Sequence, residues 1–191
     1  MTNWGGGLRY LTNWVLILNL LVAVNAVMNE HLERTPFNFI IPATLSMNFV
    51  VIALYWGLRI IDKSYLDVNT EDWSTFEWLW DFYLHWGMSI LLLIELFFFN
   101  KSSSKTISSY FTLMVIFFSY IFWIELIIMP NNDEPCGNYT CGFPYPFLNE
   151  MELSDRNIFY FGVWVLGTVS FVLARVILWA SKKVIMKELT E

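Results

Sequence analysis

Five stretches of this chain run for about 20 residues with almost no charge, the length an α-helix needs to cross the hydrocarbon core of a bilayer. They cover 10–28, 38–58, 78–99, 108–129 and 158–180. In lipid, backbone N–H and C=O groups must be satisfied without water, so open runs of this kind fold as helices. The expectation is an all-α integral membrane bundle of about five transmembrane helices, with 1–191 as one multi-pass domain. No internal repeat or low-complexity tail divides the chain. Composition agrees: 15% of residues are charged and 57% hydrophobic, whereas a soluble domain carries about 25% charged residues. Val24-Asn25-Ala26 resembles a signal-peptide cleavage site, but 10–28 is read as a retained span.

Several classes are excluded early. A net charge of −6 with no basic stripe does not fit nucleic-acid binding. Gly5-Gly6-Gly7 lacks the Lys-Ser/Thr that completes a phosphate loop. One intramembrane histidine without a second His or a Cys at ligand spacing argues against a metal, and no cofactor motif is present.

Five spans place the two termini on opposite faces, and the basic residues orient them. Arg34, Lys101, Lys105, Lys182, Lys183 and Lys187 gather on one face, expected to be cytosolic. Arg9, Arg59, Lys63 and Arg156 lie among many acids on the other. The N-terminus and the loops 59–77 and 130–157 are then lumenal or extracellular, and the C-terminus is cytosolic. The loop Cys136-Gly-Asn138-Tyr-Thr140-Cys141 fits that side. Two cysteines so close in an oxidising compartment are expected to form a disulfide. Asn138 lies in a glycosylation acceptor. Whether it is modified stays open, because a small ring closed at Cys136 and Cys141 would constrain it.

Depth then sorts the polar residues. An ionisable group in a membrane span is a functional candidate, since its insertion costs roughly 3 kcal/mol. His85 qualifies, with Asp81 and Ser89 four residues away on either side along one helical face. Thr12 lies just inside span 1 and His85 about seven residues into span 3, roughly 10 Å at 1.5 Å per residue. Both fall in the same third of the membrane. A Thr hydroxyl becomes a nucleophile when a neutral imidazole takes its proton, and Asp81 is placed to orient that imidazole. Each also has a plain structural reading: Thr12 as a residue bonded back to its helix, His85 as a packing contact, Asp81 as a solvated interface residue. Asn13 and the first amides of span 1 are candidate oxyanion donors. Glu125 either pairs with Arg59 or joins the site as a second acid. Asn19, and the pair Thr44 and Asn48, read as inward-packing positions, with Pro42 kinking span 2. His31 reads as a loop residue.

The chain also resembles a known family. The carrying pieces are Gly5-Gly-Gly-Leu-Arg-Tyr-Leu-Thr12, His85 placed before Ile94-Glu95, Tyr120-Ile-Phe-Trp123 and Tyr145-Pro-Phe-Leu148. In order and rough spacing these resemble the FAR-17a/AIG1-like family of multi-pass membrane proteins. The resemblance implies a threonine hydrolase of the endoplasmic reticulum, cleaving fatty acid esters of hydroxy fatty acids. Thr12 would be its nucleophile and His85 its base. The substrate would be a membrane lipid entering laterally between helices. The alternative is a non-catalytic membrane subunit or adaptor with the same fold and a membrane-protein partner.

Overall fold

The computed structural model describes residues 4–32, 37–66, 72–98, 105–132, 135–136, 139–140 and 142–188. The side chains of His31, Cys136, Asn138 and Cys141 lie outside the described residues. So, therefore, do the expected disulfide and the acceptor site. Among the described residues, five helices are long and apolar enough to cross a membrane. Span 1 is Leu11–Leu32, span 2 Ile40–Ile61, span 3 Thr75–Phe98, span 4 Thr106–Asn131 and span 5 Leu153–Glu188. The chain is a multi-pass membrane protein. Its outward faces present Leu20, Leu21, Phe98, Phe111, Phe161 and Val169, apolar side chains that belong in hydrocarbon rather than water.

Span 2 is the axis of the bundle. In its most apolar window 61% of residues are buried, against 22–28% in the other four. Spans 1, 3, 4 and 5 all pack on it. Ala43, Thr44 and Ser46 are fully buried, and such small side chains let neighbouring helices approach closely where no hydrophobic effect drives association. On span 5, Gly167 brings its backbone against Val50, which would sit 3.8 Å from an added Cβ. Asn19 and Asn48 exchange amide hydrogen bonds of 3.1 Å between spans 1 and 2, so that face of span 1 does turn inward.

Three local expectations are corrected. Span 2 begins at Ile40, so Pro42 sits in the first helical turn, where its missing N–H is one that a helix leaves unpaired anyway. The position asks for no kink. Span 1 continues as helix through His31 to Leu32 instead of yielding to a loop at 29. Span 3 starts at Thr75, three residues early, because Ser74 and Glu77 form a reciprocal capping box.

After span 4 a two-residue antiparallel ladder pairs Pro135–Cys136 with Tyr139–Thr140. The chain then turns back into the bundle. Phe143, Phe147 and Leu148 are buried in its core, with Phe147 and Leu148 on the short helix Pro146–Asn149. Gly142 opens this plug. A Cβ there would stand 2.7 Å from the Met129 carbonyl oxygen and 2.9 Å from Met129 Cγ, so only glycine fits against the end of span 4. Gly142→Ala is expected to destabilise the protein by about 1–3 kcal/mol, as overpacking does. Unfolding in detergent, compared with wild type, measures it.

Candidate active site

All five spans contribute polar residues at one end of the bundle: Thr12 at the start of span 1, Arg59 at the end of span 2, and Asp81 and His85 early in span 3. Glu125 comes late in span 4, and Arg156 and Tyr160 early in span 5. Two spans change gauge there. Tyr83–Gly87 and Trp123–Ile128 are π-helical, with the Met88 N–H bonded to the Tyr83 carbonyl and the Met129 N–H to the Ile124 carbonyl. Such wide turns inside α-helices recur at functional sites. One holds His85 and the other Glu125.

His85 is held on two sides. Its ring stacks on Tyr55 with centroids 3.5 Å apart and planes 11° apart. Its Nδ1 lies 2.9 Å from the Asp81 carbonyl oxygen and 3.2 Å from Asp81 Oδ1. A carbonyl oxygen only accepts, so Nδ1 carries a proton, and in the neutral ring the lone pair is on Nε2. That is the tautomer a general base needs.

Asp81 is not a solvated interface residue: it is only 8% exposed. The Tyr55 hydroxyl donates to its Oδ1 at 2.7 Å, and Arg59 Nη1 reaches its Oδ2 at 3.3 Å and the Tyr55 oxygen at 2.8 Å. The Arg59 guanidinium lies 5.0–5.9 Å from the ring centroids of Tyr55, Trp56, Trp73 and Trp78, an aromatic nest that favours a cation. Arg59 therefore pairs with Asp81. Glu125, expected on Arg59 or in the site, is taken by Arg156 Nε at 3.0 Å and by the Tyr160 hydroxyl at 2.7 Å. Glu125 does not line the cavity that Thr12 and His85 share; Tyr160 does.

Thr12 follows a tight entry. Gly5 and Gly6 take φ of 87° and 49°, a left-handed conformation that glycine adopts freely. The turn Gly6–Arg9 leads through Tyr10 into span 1. Side chains from elsewhere bind this entry. The Tyr120 hydroxyl donates to the Arg9 carbonyl at 2.9 Å and Trp123 Nε1 to the Leu8 carbonyl at 3.0 Å, while the Leu11 N–H donates to the Tyr145 hydroxyl at 3.2 Å. Asn13 Nδ2 donates to the Gly7 carbonyl at 2.6 Å. Among the described residues the Thr12 hydroxyl has no hydrogen-bond partner, whereas Thr112 and Thr168 each bond back to their own helix. The plain structural reading of Thr12 as a back-bonded residue does not describe it.

Thr12, Asn13, Asp81 and His85 line one cavity of about 450 Å³, within the range of small-molecule sites. Span 1 packs directly against the turn that carries His85, so no helix intervenes. No hydrogen bond joins the Thr12 hydroxyl to the His85 ring in this resting arrangement. Such bonds are commonly long before substrate arrives. Val51, Leu54, Phe117, Ile121, Phe159 and Val163 make the inner wall. Exposed Tyr10, Glu77 and Trp80 stand at the rim. Most of the lining is apolar, with Thr12, Asn13, Asp81 and His85 among its polar members. Among the described residues no group of three His, Cys, Asp or Glu side chains could hold a metal ion.

Sequence reasoning missed Tyr55, Tyr145 and Tyr160 as parts of this end. Tyr145 stands in the Tyr145-Pro-Phe-Leu148 segment already marked by the resemblance, which was a usable signal. Tyr55 carried none, because a tyrosine near a span end reads as an interface aromatic.

No curated protein and no solved structure matches the chain in comparison. A family model does: the model described as FAR-17a/AIG1-like protein matches residues 1–178, nearly the whole chain and every span up to the last turns of the fifth. The chain belongs to the FAR-17a/AIG1-like family.

Proposed function

We propose that this protein is an intramembrane threonine hydrolase of lipid esters, with fatty acid esters of hydroxy fatty acids as the substrate class its family resemblance implies. The observation that carries the reading is the shared cavity. It brings together a Thr12 hydroxyl with no partner among the described residues and a histidine whose Nδ1 proton is bound at Asp81. Acyl chains would lie along the apolar wall, with the ester at the depth of Thr12. As His85 Nε2 takes the hydroxyl proton, Thr12 Oγ1 bonds to the ester carbon and the carbonyl electron pair moves onto oxygen. Collapse of that adduct expels the alkoxide, which leaves as the alcohol with the proton from His85. Water then attacks the acyl-Thr12 ester, giving its proton to His85 and releasing the fatty acid. Thr12 Oγ1 recovers that proton.

The charge pattern around the spans supports a lumenal N-terminus and a cytosolic C-terminus, with the endoplasmic reticulum as the membrane the resemblance implies. A fluorophosphonate probe tests the chemistry. It is expected to label wild type and to leave Thr12→Ala and His85→Ala unlabelled. Equal labelling of all three refutes the assignment.

A further inference from the structure

Addition of Thr12 to an ester places negative charge on the former carbonyl oxygen, and a donor for that oxygen is required only if the hydrolase reading holds. We propose that the Tyr145 hydroxyl is the oxyanion donor, hydrogen-bonding that oxygen as Thr12 adds to the ester; the assignment rests on the hydrolase reading. Its position is set by the nucleophile's own backbone. The N–H of Leu11, the residue before Thr12, donates to the Tyr145 oxygen at 3.2 Å. That bond uses a lone pair and leaves the phenolic hydrogen to be directed elsewhere. The Tyr120 hydroxyl lies beside it and interacts with it, but commits its own hydrogen to the Arg9 carbonyl at 2.9 Å. Between Tyr120 and Tyr145, it is the Tyr145 hydrogen that can be re-aimed at a substrate oxygen. Both line the cavity that holds Thr12 and His85.

The donor is also rigid, and rigidity is what makes such a donor effective, since no reorganisation is needed at the moment of reaction. Pro146 opens the short helix behind it. Asn149 donates to the carbonyls of Phe143 and Tyr145 and accepts the Phe143 N–H at 2.9 Å. The ring is packed edge-on to Tyr10 and parallel to Phe147, each at 6.0 Å. Burial raises the pKa of this phenol, so at neutral pH it is a protonated donor. Asn13, the donor expected from sequence, already gives one amide hydrogen to Gly7.

The test compares wild type with Tyr145→Phe, full length in lipid nanodiscs, on a medium-chain p-nitrophenyl ester. The expected result is a fall in kcat of about 10²–10³-fold with KM nearly unchanged. Affinity for a trifluoromethyl ketone of the same chain length, which adds to Thr12 as an oxyanion, falls by a comparable factor. Affinity for the matching ether, which forms no adduct, stays at the wild-type value. An unchanged kcat, or a loss confined to KM and ether binding, overturns the proposal. Should Tyr145→Phe not fold, 3-fluorotyrosine at 145 retains the hydrogen bond and lowers only this phenol's pKa. The alkaline limb of kcat then moves to lower pH, and an unmoved limb overturns the proposal. Tyr10, Arg9 and Tyr120, with Tyr160 behind Tyr120 and Asp81, Glu77 and His85 across the cavity, are common to both proteins and do not shift the comparison. If wild type hydrolyses nothing and Thr12 is unlabelled, the hydrolase reading and this one fall together. If wild type turns over, Thr12→Ala does not, and Tyr145→Phe keeps its kcat, only the Tyr145 assignment falls.

Discussion

Thr12→Ala and His85→Ala are each expected to lower the rate of ester hydrolysis by about 10³-fold or more, and the double variant by scarcely more than either alone. Residues that act as one unit lose their joint contribution when any member is removed, so their effects do not add. Thr12→Ser, which keeps the hydroxyl, is expected to retain measurable turnover. Thr12→Val, which keeps the shape, is expected to retain none. The Thr12 hydroxyl makes no hydrogen bond among the described residues, so Thr12→Ala should express and unfold near wild type while activity disappears. His85 stacks on Tyr55 of span 2 and bonds to Asp81, so His85→Ala is expected to lose some stability as well as activity. Steady-state kinetics on a chromogenic lipid ester, beside unfolding curves, separates the two. Additive losses would mean that Thr12 and His85 serve different steps.

Removing either partner of Arg59 and Asp81 is expected to destabilise the protein by about 3–5 kcal/mol, because the partner left behind is a buried, uncompensated charge. The Arg59 and Asp81 side chains are only 10% and 11% exposed. Replacing both, as Arg59→Met with Asp81→Leu, is expected to recover most of that loss, since apolar pairs of similar volume often do as well as a buried ion pair. Activity should follow a different pattern from a serine-protease triad, where changing the carboxylate to an amide costs about 10⁴-fold by fixing the wrong tautomer. Here the Asp81 backbone carbonyl, at 2.9 Å, also holds Nδ1–H, and an amide side chain leaves that bond in place. Asp81→Asn is therefore expected to cost far less in kcat than His85→Ala, although it weakens the fold. A loss as deep as His85→Ala would mean that the carboxylate, not the backbone, sets the imidazole.

Much of the architecture could be read from the sequence because the bilayer allows so few solutions. Apolar length alone located five spans to within a few residues at most ends. The same reasoning put Thr12 and His85 at one depth, since residues counted from a span end translate directly into rise. Angular relations were harder. Which acid meets Arg59 depends on how the spans are arranged around span 2, and depth could not separate Asp81 from Glu125. The Tyr55 stack on His85 depends likewise on rotation of one helix against another. Spacing by 3.6 residues also assumes a uniform helix, so the π turns at Tyr83–Gly87 and Trp123–Ile128 were invisible to it. The Ser74-x-x-Glu77 cap was visible in principle. It lay outside the apolar run that set the boundary, and so span 3 was started at 78.

Those two wide turns also bear on how the protein can change. A π turn is an α-helix carrying one extra residue, so losing one residue within Tyr83–Gly87 would restore an ordinary helix and leave the flanks on either side in phase. Losing a residue from the regular helix on either side would instead rotate what lies beyond it by about 100°. Span 3 could thus shed its extra residue with Asp81 still on Arg59 and with Met88 and Ser89 still buried. What such a loss would change is the local placement of the His85 ring, so the wide turn tunes the site without being needed to hold the bundle in register.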